Sequence, residues 1–259
     1  MVEKVLPLNG QQQRALKLLF KFRFGTSRLL ADVISIRPDS MYPVIESLVS
    51  RKLVTKVYEP TYRIDRRPAY YYLSKQGVTT LRRIMEFTES FVHAQYKNDS
   101  ASDSFIQQCL TVLSCYSPIK RSLPAGTEVL TKAEIQQISD FPKNRPDLYI
   151  RTLDNREAIV IFGTETQPYI LKKRLQEILE HFEDDEWDGE YPVIAFVLKD
   201  ASSVNSFLYR SAKTLDSMGV DDSELMLVAA SVDSIFKDRP NVWHSVYKPK
   251  NTCPLFSED

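Results

Sequence analysis

The chain has little of what many catalytic centres are built from. It carries seven glycines in 259 residues. None sits in a glycine-rich loop ahead of a helix, so nucleotide hydrolysis is not expected. Its three histidines, His93, His181 and His244, are isolated along the sequence. That spacing provides no cluster for a zinc site or for a histidine-based relaxase. Cys109, Cys115 and Cys253 are odd in number and lack metal-ligand spacing, so they are expected as buried or idle reduced thiols. No apolar run reaches the length of a membrane span, and the first residues do not read as a secretory signal. The expected setting is therefore the cytoplasm, with no membrane partner.

A hydrophobic content of 43% suits packed cores, and the length suits one large domain or two modest ones. The formal net charge of zero conceals an asymmetry. Residues 1–95 hold 16 Lys and Arg against 8 Asp and Glu, a net of +8, so the remainder carries −8. A basic segment joined to an acidic one assigns polyanion contact to the first.

Helical periodicity begins after Asn9, a suitable cap, with Ala15, Leu18, Leu19 and Phe22 at helical spacing. Gly25 is expected to close that helix. Thr26 then caps a second, Ser27 to Ile34, with Leu29, Leu30 and Val33 inward. After the turn Ser35-Ile36-Arg37-Pro38, Asp39 or Ser40 caps a third helix to about Arg51, with Val44, Ile45, Leu48 and Val49 inward. Three short helices with a tight turn between the last two make a helix-turn-helix candidate.

Leu53 to Tyr58 alternates and is β-branched, and Ala69 to Leu73 is aromatic and strand-like. The polar stretch Glu59 to Pro68 between them holds Arg63, Arg66 and Arg67, a hairpin with a basic tip. Ser74 caps a further helix through Thr79, Leu81, Ile84 and Phe87. This pattern predicts a winged helix-turn-helix of the α+β class. A helix N-terminus fits the major groove of duplex DNA, and arginines on a wing neutralise phosphates. The candidate groove-facing residues are Arg37, Ser40, Tyr42, Ser47 and Arg51, and the wing candidates are Arg63, Arg66 and Arg67. Tyr70, Tyr71 and Tyr72 are read as strand packing rather than base stacking.

Lys97 to Ser104 is polar and reads as a linker, which gives domains 1–96 and 105–259. Beyond it comes a helix from Phe105 to Tyr116, then strands at Asp147–Arg151 and Ala158–Glu165. A helix from Pro168 to Phe182, a strand at Pro192–Leu198 and a helix from Ser202 to Met218 follow. A last strand, Glu224–Ala230, and a short helix at Val232–Phe236 complete an α/β domain with a central mixed sheet. The acidic run Glu183 to Asp188 reads as a solvated loop.

Two acids stand out. Asp147 follows Pro146 at the head of one strand, and Glu165 ends the next, with Gln167 two residues on. This spacing and element order resemble the PD-(D/E)xK nuclease superfamily. In that superfamily two acids from neighbouring strands hold Mg²⁺, or Mn²⁺ in its place, and the metal polarises the phosphate and activates water. The resemblance assigns Asp147 and Glu165 as metal ligands and Gln167 to the place of the signature lysine. Lys172 and Lys173 could stand in for that lysine, although solvation at the surface is their ordinary role. As structural residues, Asp147 would be a strand-end acid and Glu165 a helix-start acid ahead of Pro168.

The whole chain is also similar to the replication-relaxation family of plasmid replication and mobilisation proteins. That family joins a winged helix to a degenerate nuclease-like domain. The segments that carry the likeness are Asn9 to Phe24, Thr26 to Leu30, Tyr70 to Gly77, Arg145-Pro146-Asp147 and Gly163-Thr164-Glu165. The family pattern places two further acids in the strand before its Gly-Thr-Glu, where this sequence has Ile159 and Ile161. Period-two alternation sets both on the face of Glu165, so half of the acidic face is apolar here.

Three readings follow. The first is a DNA-binding protein of a plasmid or other mobile element, acting in conjugative mobilisation or replication. The second is an active metal-dependent DNA-nicking relaxase or endonuclease. The third is a transcriptional regulator whose second domain dimerises or senses a ligand. Under the first, the partners are double-stranded DNA, other transfer or replication proteins, and a second copy of the chain.

Overall fold

The computed structural model describes residues 7–59, 61, 64, 67–84, 89–138, 141–183, 191–220, 225–237 and 240–256. It divides into two compact units, Met1–Leu113 and Ser114–Asp259.

In the first unit, α1 (Gly10–Phe22) opens with a reciprocal cap. The Asn9 side chain accepts the Gln12 N–H at 2.9 Å while the Gln12 side chain accepts the Asn9 N–H at 3.1 Å. Its buried stripe runs through Ala15, Leu16, Leu19 and Phe20. The helix ends before Gly25, because Arg23 turns to φ 68°. Gly25 lies instead in a two-residue strand, β1 (Phe24–Gly25), paired antiparallel with β3 (Tyr70–Leu73). A Cβ at Gly25 would stand 3.1 Å from Leu30 and 3.2 Å from Leu113, so close packing rather than helix termination accounts for the glycine.

Thr26 caps α2 (Ser27–Ile34), its hydroxyl accepting the Leu29 N–H at 3.2 Å. Ser35 (φ 60°) ends that helix, and Pro38 opens α3 (Pro38–Ser50) as its first residue. Asp39 and Ser40, expected as caps, therefore fall inside the first turn, and Arg37 flanks the helix without a side-chain cap. The inward residues are Leu30 and Ala31 on α2 and Met41, Ile45 and Leu48 on α3. Leu29, Val33, Val44 and Val49 are half-buried.

β2 (Val54–Val57) pairs antiparallel with β3, giving the sheet order β1-β3-β2. Ser74 caps α4 (Lys75–Arg82), accepting the Gly77 N–H at 3.0 Å. Gly77 packs so closely that a Cβ there would lie 2.0 Å from the Leu53 carbonyl oxygen. α4 stops at Arg82, short of the expected end at Phe87, which lies outside the described residues. Three helices, a strand between the first two, and a hairpin after the third form a winged helix.

Lys97–Ser104, expected as a linker, carries structure in the first unit. α5 (Glu89–Gln95) leads into a 3₁₀ turn at Asn98–Ser100. Asn98 is buried, and its side-chain oxygen accepts from Arg23 Nε at 2.8 Å. Gln95 donates to the Phe20 carbonyl at 2.8 Å. Then α6 (Asp103–Ser122), longer than the expected Phe105–Tyr116, runs across the division and carries Pro118 within it.

The second unit is built on a seven-stranded mixed sheet of order β10-β9-β8-β7-β6-β5-β4. β4 (Glu128–Thr131), β5 (Leu148–Arg151) and β6 (Glu157–Phe162) form an antiparallel meander. Two strand–helix–strand units follow. α7 (Pro168–Glu183) leads to β7 (Val193–Leu198), parallel to β6, and α8 (Ala201–Met218) leads to β8 (Leu227–Ser231), parallel to β7. Both helices cover one face of the sheet, as successive crossovers of one hand require. After α9 (Val232–Ile235) come two antiparallel strands, β9 (Trp243–Ser245) and β10 (Thr252–Cys253), so β8 is not the last strand. The central strands are buried on both faces: Ile159, Ile161, Ile194 and Phe196 pack under the helices, and Ala158, Val160, Ala195 and Val197 face the other way at 0% exposure.

Candidate nucleic-acid interface

The N-terminal half of α3 is open to solvent. Arg37, Asp39, Ser40 and Pro43 are exposed, and Tyr42 is 49% exposed. Pro43 has no N–H to give to the Asp39 carbonyl, so that carbonyl loses its helical donor on the exposed side. Arg37, Ser40 and Tyr42 thus share the surface on which the groove-facing role was expected.

Ser47 and Arg51 do not share it. Gln12, 8% exposed, donates from Nε2 to Ser47 Oγ at 3.1 Å and accepts from Arg51 at 3.3 Å. Together with its capping bond to Asn9, Gln12 joins the start of α1 to the last turn of α3. Both candidates are occupied in holding that crossing.

A second cluster was not foreseen from the sequence. Glu46, on α3, accepts from Lys56 of β2 at 2.7 Å and from the Tyr71 hydroxyl of β3 at 3.1 Å. The Lys56 ammonium also lies 5.6 Å from the centre of the Tyr42 ring. The hydrogen bond that Lys56 donates to Glu46 raises Lys56 above the ordinary lysine range. Burial, reinforced by Glu46, pushes the Tyr71 hydroxyl well above the ordinary tyrosine range. A charged residue in the middle of α3, with a lysine in the neighbouring strand, was the only signal available beforehand. Tyr70 and Tyr72 pack against Phe24 at centroid distances of 5.9 and 5.6 Å, in keeping with strand packing.

Of the wing arginines, Arg67 is exposed, while Arg63 and Arg66 lie outside the described residues. Ile64, also in this hairpin, is 83% exposed.

In the second unit, Arg145 donates to the carbonyls of Ile135 and Ile138, fixing the loop that delivers Pro146 and Asp147. One Asp147 carboxylate oxygen accepts the Phe162 N–H at 2.8 Å, and so ends the ladder between β5 and β6. Glu165 and Gln167 are exposed in the turn beyond β6, and the Gln167 carbonyl accepts from Ile170 at the start of α7. The two acids therefore lie at the same end of the meander, one of them partly engaged with backbone. Among the described residues, no group of three or more His, Cys, Asp or Glu side chains is placed to hold a metal ion. Ile159 and Ile161 are core residues. Among the described residues, two carboxylates without a third ligand or the signature lysine do not make the full donor set of a metal nuclease. Lys172 is exposed, and Lys173 pairs with Glu177 at 3.7 Å on the same helix. No described helix is long and apolar enough to cross a membrane.

No protein-family model and no curated protein matches the chain. Among solved structures it is similar in part to a double mutant of ZitR from Lactococcus lactis, at 16% identity over 39% of this chain and 67% of that one, with a TM-score of 0.27. A single mutant of the same protein gives 17% identity, 40% and 68% coverage and a TM-score of 0.27. The adhesin competence repressor AdcR from Streptococcus pyogenes gives 17%, 39%, 72% and 0.25. The winged-helix assignment stands on the order and pairing of the chain's own elements.

Proposed function

We propose that the first unit binds duplex DNA, placing the open N-terminal half of α3 in the major groove and the arginine-bearing hairpin on the phosphate backbone. The exposure of Arg37, Ser40 and Tyr42 on one end of α3 carries this reading. The net charge of +8 over residues 1–95 supports it, since an excess of cations supplies sequence-independent attraction to DNA.

The finer reading is a protein of plasmid or other mobile-element DNA, acting in mobilisation or replication. It is supported by the resemblance to the replication-relaxation family. The order of helix, three-stranded meander, helix and parallel strand in the second unit also supports it, being the order of the nuclease-like domain in that family. The second unit then serves binding or assembly rather than cleavage, because its acidic positions are reduced to two.

Footprinting of the full chain across its own replicon tests both levels. Protection inside a transfer or replication origin is the expected result. Protection confined to a promoter would replace the mobile-element reading with a transcriptional one. Failure to shift any duplex at low salt would overturn the DNA-binding reading itself.

A further inference from the structure

The second unit contains a cavity of about 350 Å³ at the carboxyl ends of the parallel strands β6 and β7, between α7 and α8. Ligands of open α/β sheets collect at that end of the strands. The volume is at the small end of the range for small-molecule sites.

Its lining is sorted by chemistry. Leu171, Leu175, Leu198 and Phe207 make an apolar floor. Lys172, Lys199 and Arg210 stand around it, with the Asp200 carboxylate close enough to Lys199 to feel its charge. No acidic side chain lines the cavity. Hydroxyls come from Ser202, Ser203, Ser206 and Ser211, successive turns of α8. Ser211 is only 3% exposed as a residue and lines the cavity. The start of α8 is already capped by Asp200, which accepts the Ser203 N–H at 2.8 Å. An anion here is held by side chains, not by the free end of the helix.

From these features we infer that the cavity is a binding site for a small phosphomonoester, its phosphate on Lys199, Arg210 and the serine hydroxyls and its apolar body on Leu171 and Phe207. Cations with hydroxyl donors suit a doubly charged phosphate, and the neighbouring Asp200 carboxylate is engaged by the Ser203 N–H at the start of α8. The apolar floor gives an organic phosphate an advantage over inorganic phosphate. All the residues that line it belong to the second unit.

Titration calorimetry on the full chain tests it with phenyl phosphate and thymidine monophosphate, beside inorganic phosphate, phenol and thymidine. Saturable heat from at least one organic phosphate is expected, with inorganic phosphate weaker and the two neutral compounds silent. Lys199→Gln with Arg210→Gln should weaken binding by about tenfold or more. Ser211→Leu should abolish it by filling the cavity. Should that variant fail to fold by circular dichroism, Ser211→Ala with Ser206→Ala is the substitute, with a loss of about fivefold expected. Silence from both organic phosphates at millimolar concentration, or binding that none of these substitutions moves, overturns the assignment.

Discussion

The first unit leaves one end of a core helix open to solvent, with Arg37, Ser40 and Tyr42 exposed, whereas the second buries both faces of its central strands. The polar networks follow the same division. In the first unit Gln12, Ser47 and Arg51 pin one part of α3 while Glu46, Lys56 and Tyr71 brace another, so the helix is held from its sides and offered at its end. In the second, Ile159 and Ile161 of β6 are packed under α7 and α8. One unit thus leaves a helix end open, and the other spends its strand faces on its core.

The largest expected effect tests whether that face is core. Ile161→Asp puts a carboxylate at a position with 0% exposure. Lost aliphatic packing and an unpaired buried acid together should cost about 5 kcal/mol. Urea denaturation measures it, and a cost below about 1 kcal/mol would mean that the strand face is solvated and the contrast between the units is false. The next effect belongs to the first unit. Gly77→Ala drives a methyl against the Leu53 carbonyl oxygen, and a destabilisation of about 3 kcal/mol is expected. DNA binding should fall with it on warming. An unchanged urea midpoint would show that the contact between α4 and the start of β2 is looser than the geometry states.

Much of this was legible in the sequence because it is local. The Asn9 and Gln12 pair, Thr26 before α2 and Ser74 before α4 are caps that act over three residues. What escaped depends on partners far along the chain. β1 is two residues long and exists through its pairing with β3, some 46 positions on, and β4, β9 and β10 span four, three and two residues. A helical wheel leaves Ser47 and Arg51 on the border of the exposed face, and only the position of Gln12 on another helix decides their direction. For Asp147, the β5–β6 register sets the bond to the Phe162 N–H, and spacing alone does not reveal a register.

The wing sharpens the comparison at the level of function. Arg66→Ala with Arg67→Ala removes two cations from the hairpin sequence. Fluorescence anisotropy across a salt series should show the slope falling by about 1.8, with weaker binding to every duplex. A slope that does not change would remove the hairpin from the interface and leave α3 to carry it alone.

The smallest effect distinguishes bracing from recognition on α3 itself. The Glu46–Lys56 pair is about one-third exposed on each side, at 33% and 29%, so its removal by Glu46→Gln should cost under about 1 kcal/mol. Lys56 is raised by that pair, so the contribution is complete below the lysine value of the unfolded chain. It fades as pH rises through the higher folded value. The variant should therefore show less of this alkaline loss than the parent. It should also bind duplex more tightly at low salt, because an acid has left the exposed side of α3 and Lys56 is released. The salt slope should steepen by up to about 0.9, one additional phosphate contact. If the urea midpoint falls sharply while the salt slope stays where it was, Glu46 is a structural brace and the outer side of α3 is not what meets DNA.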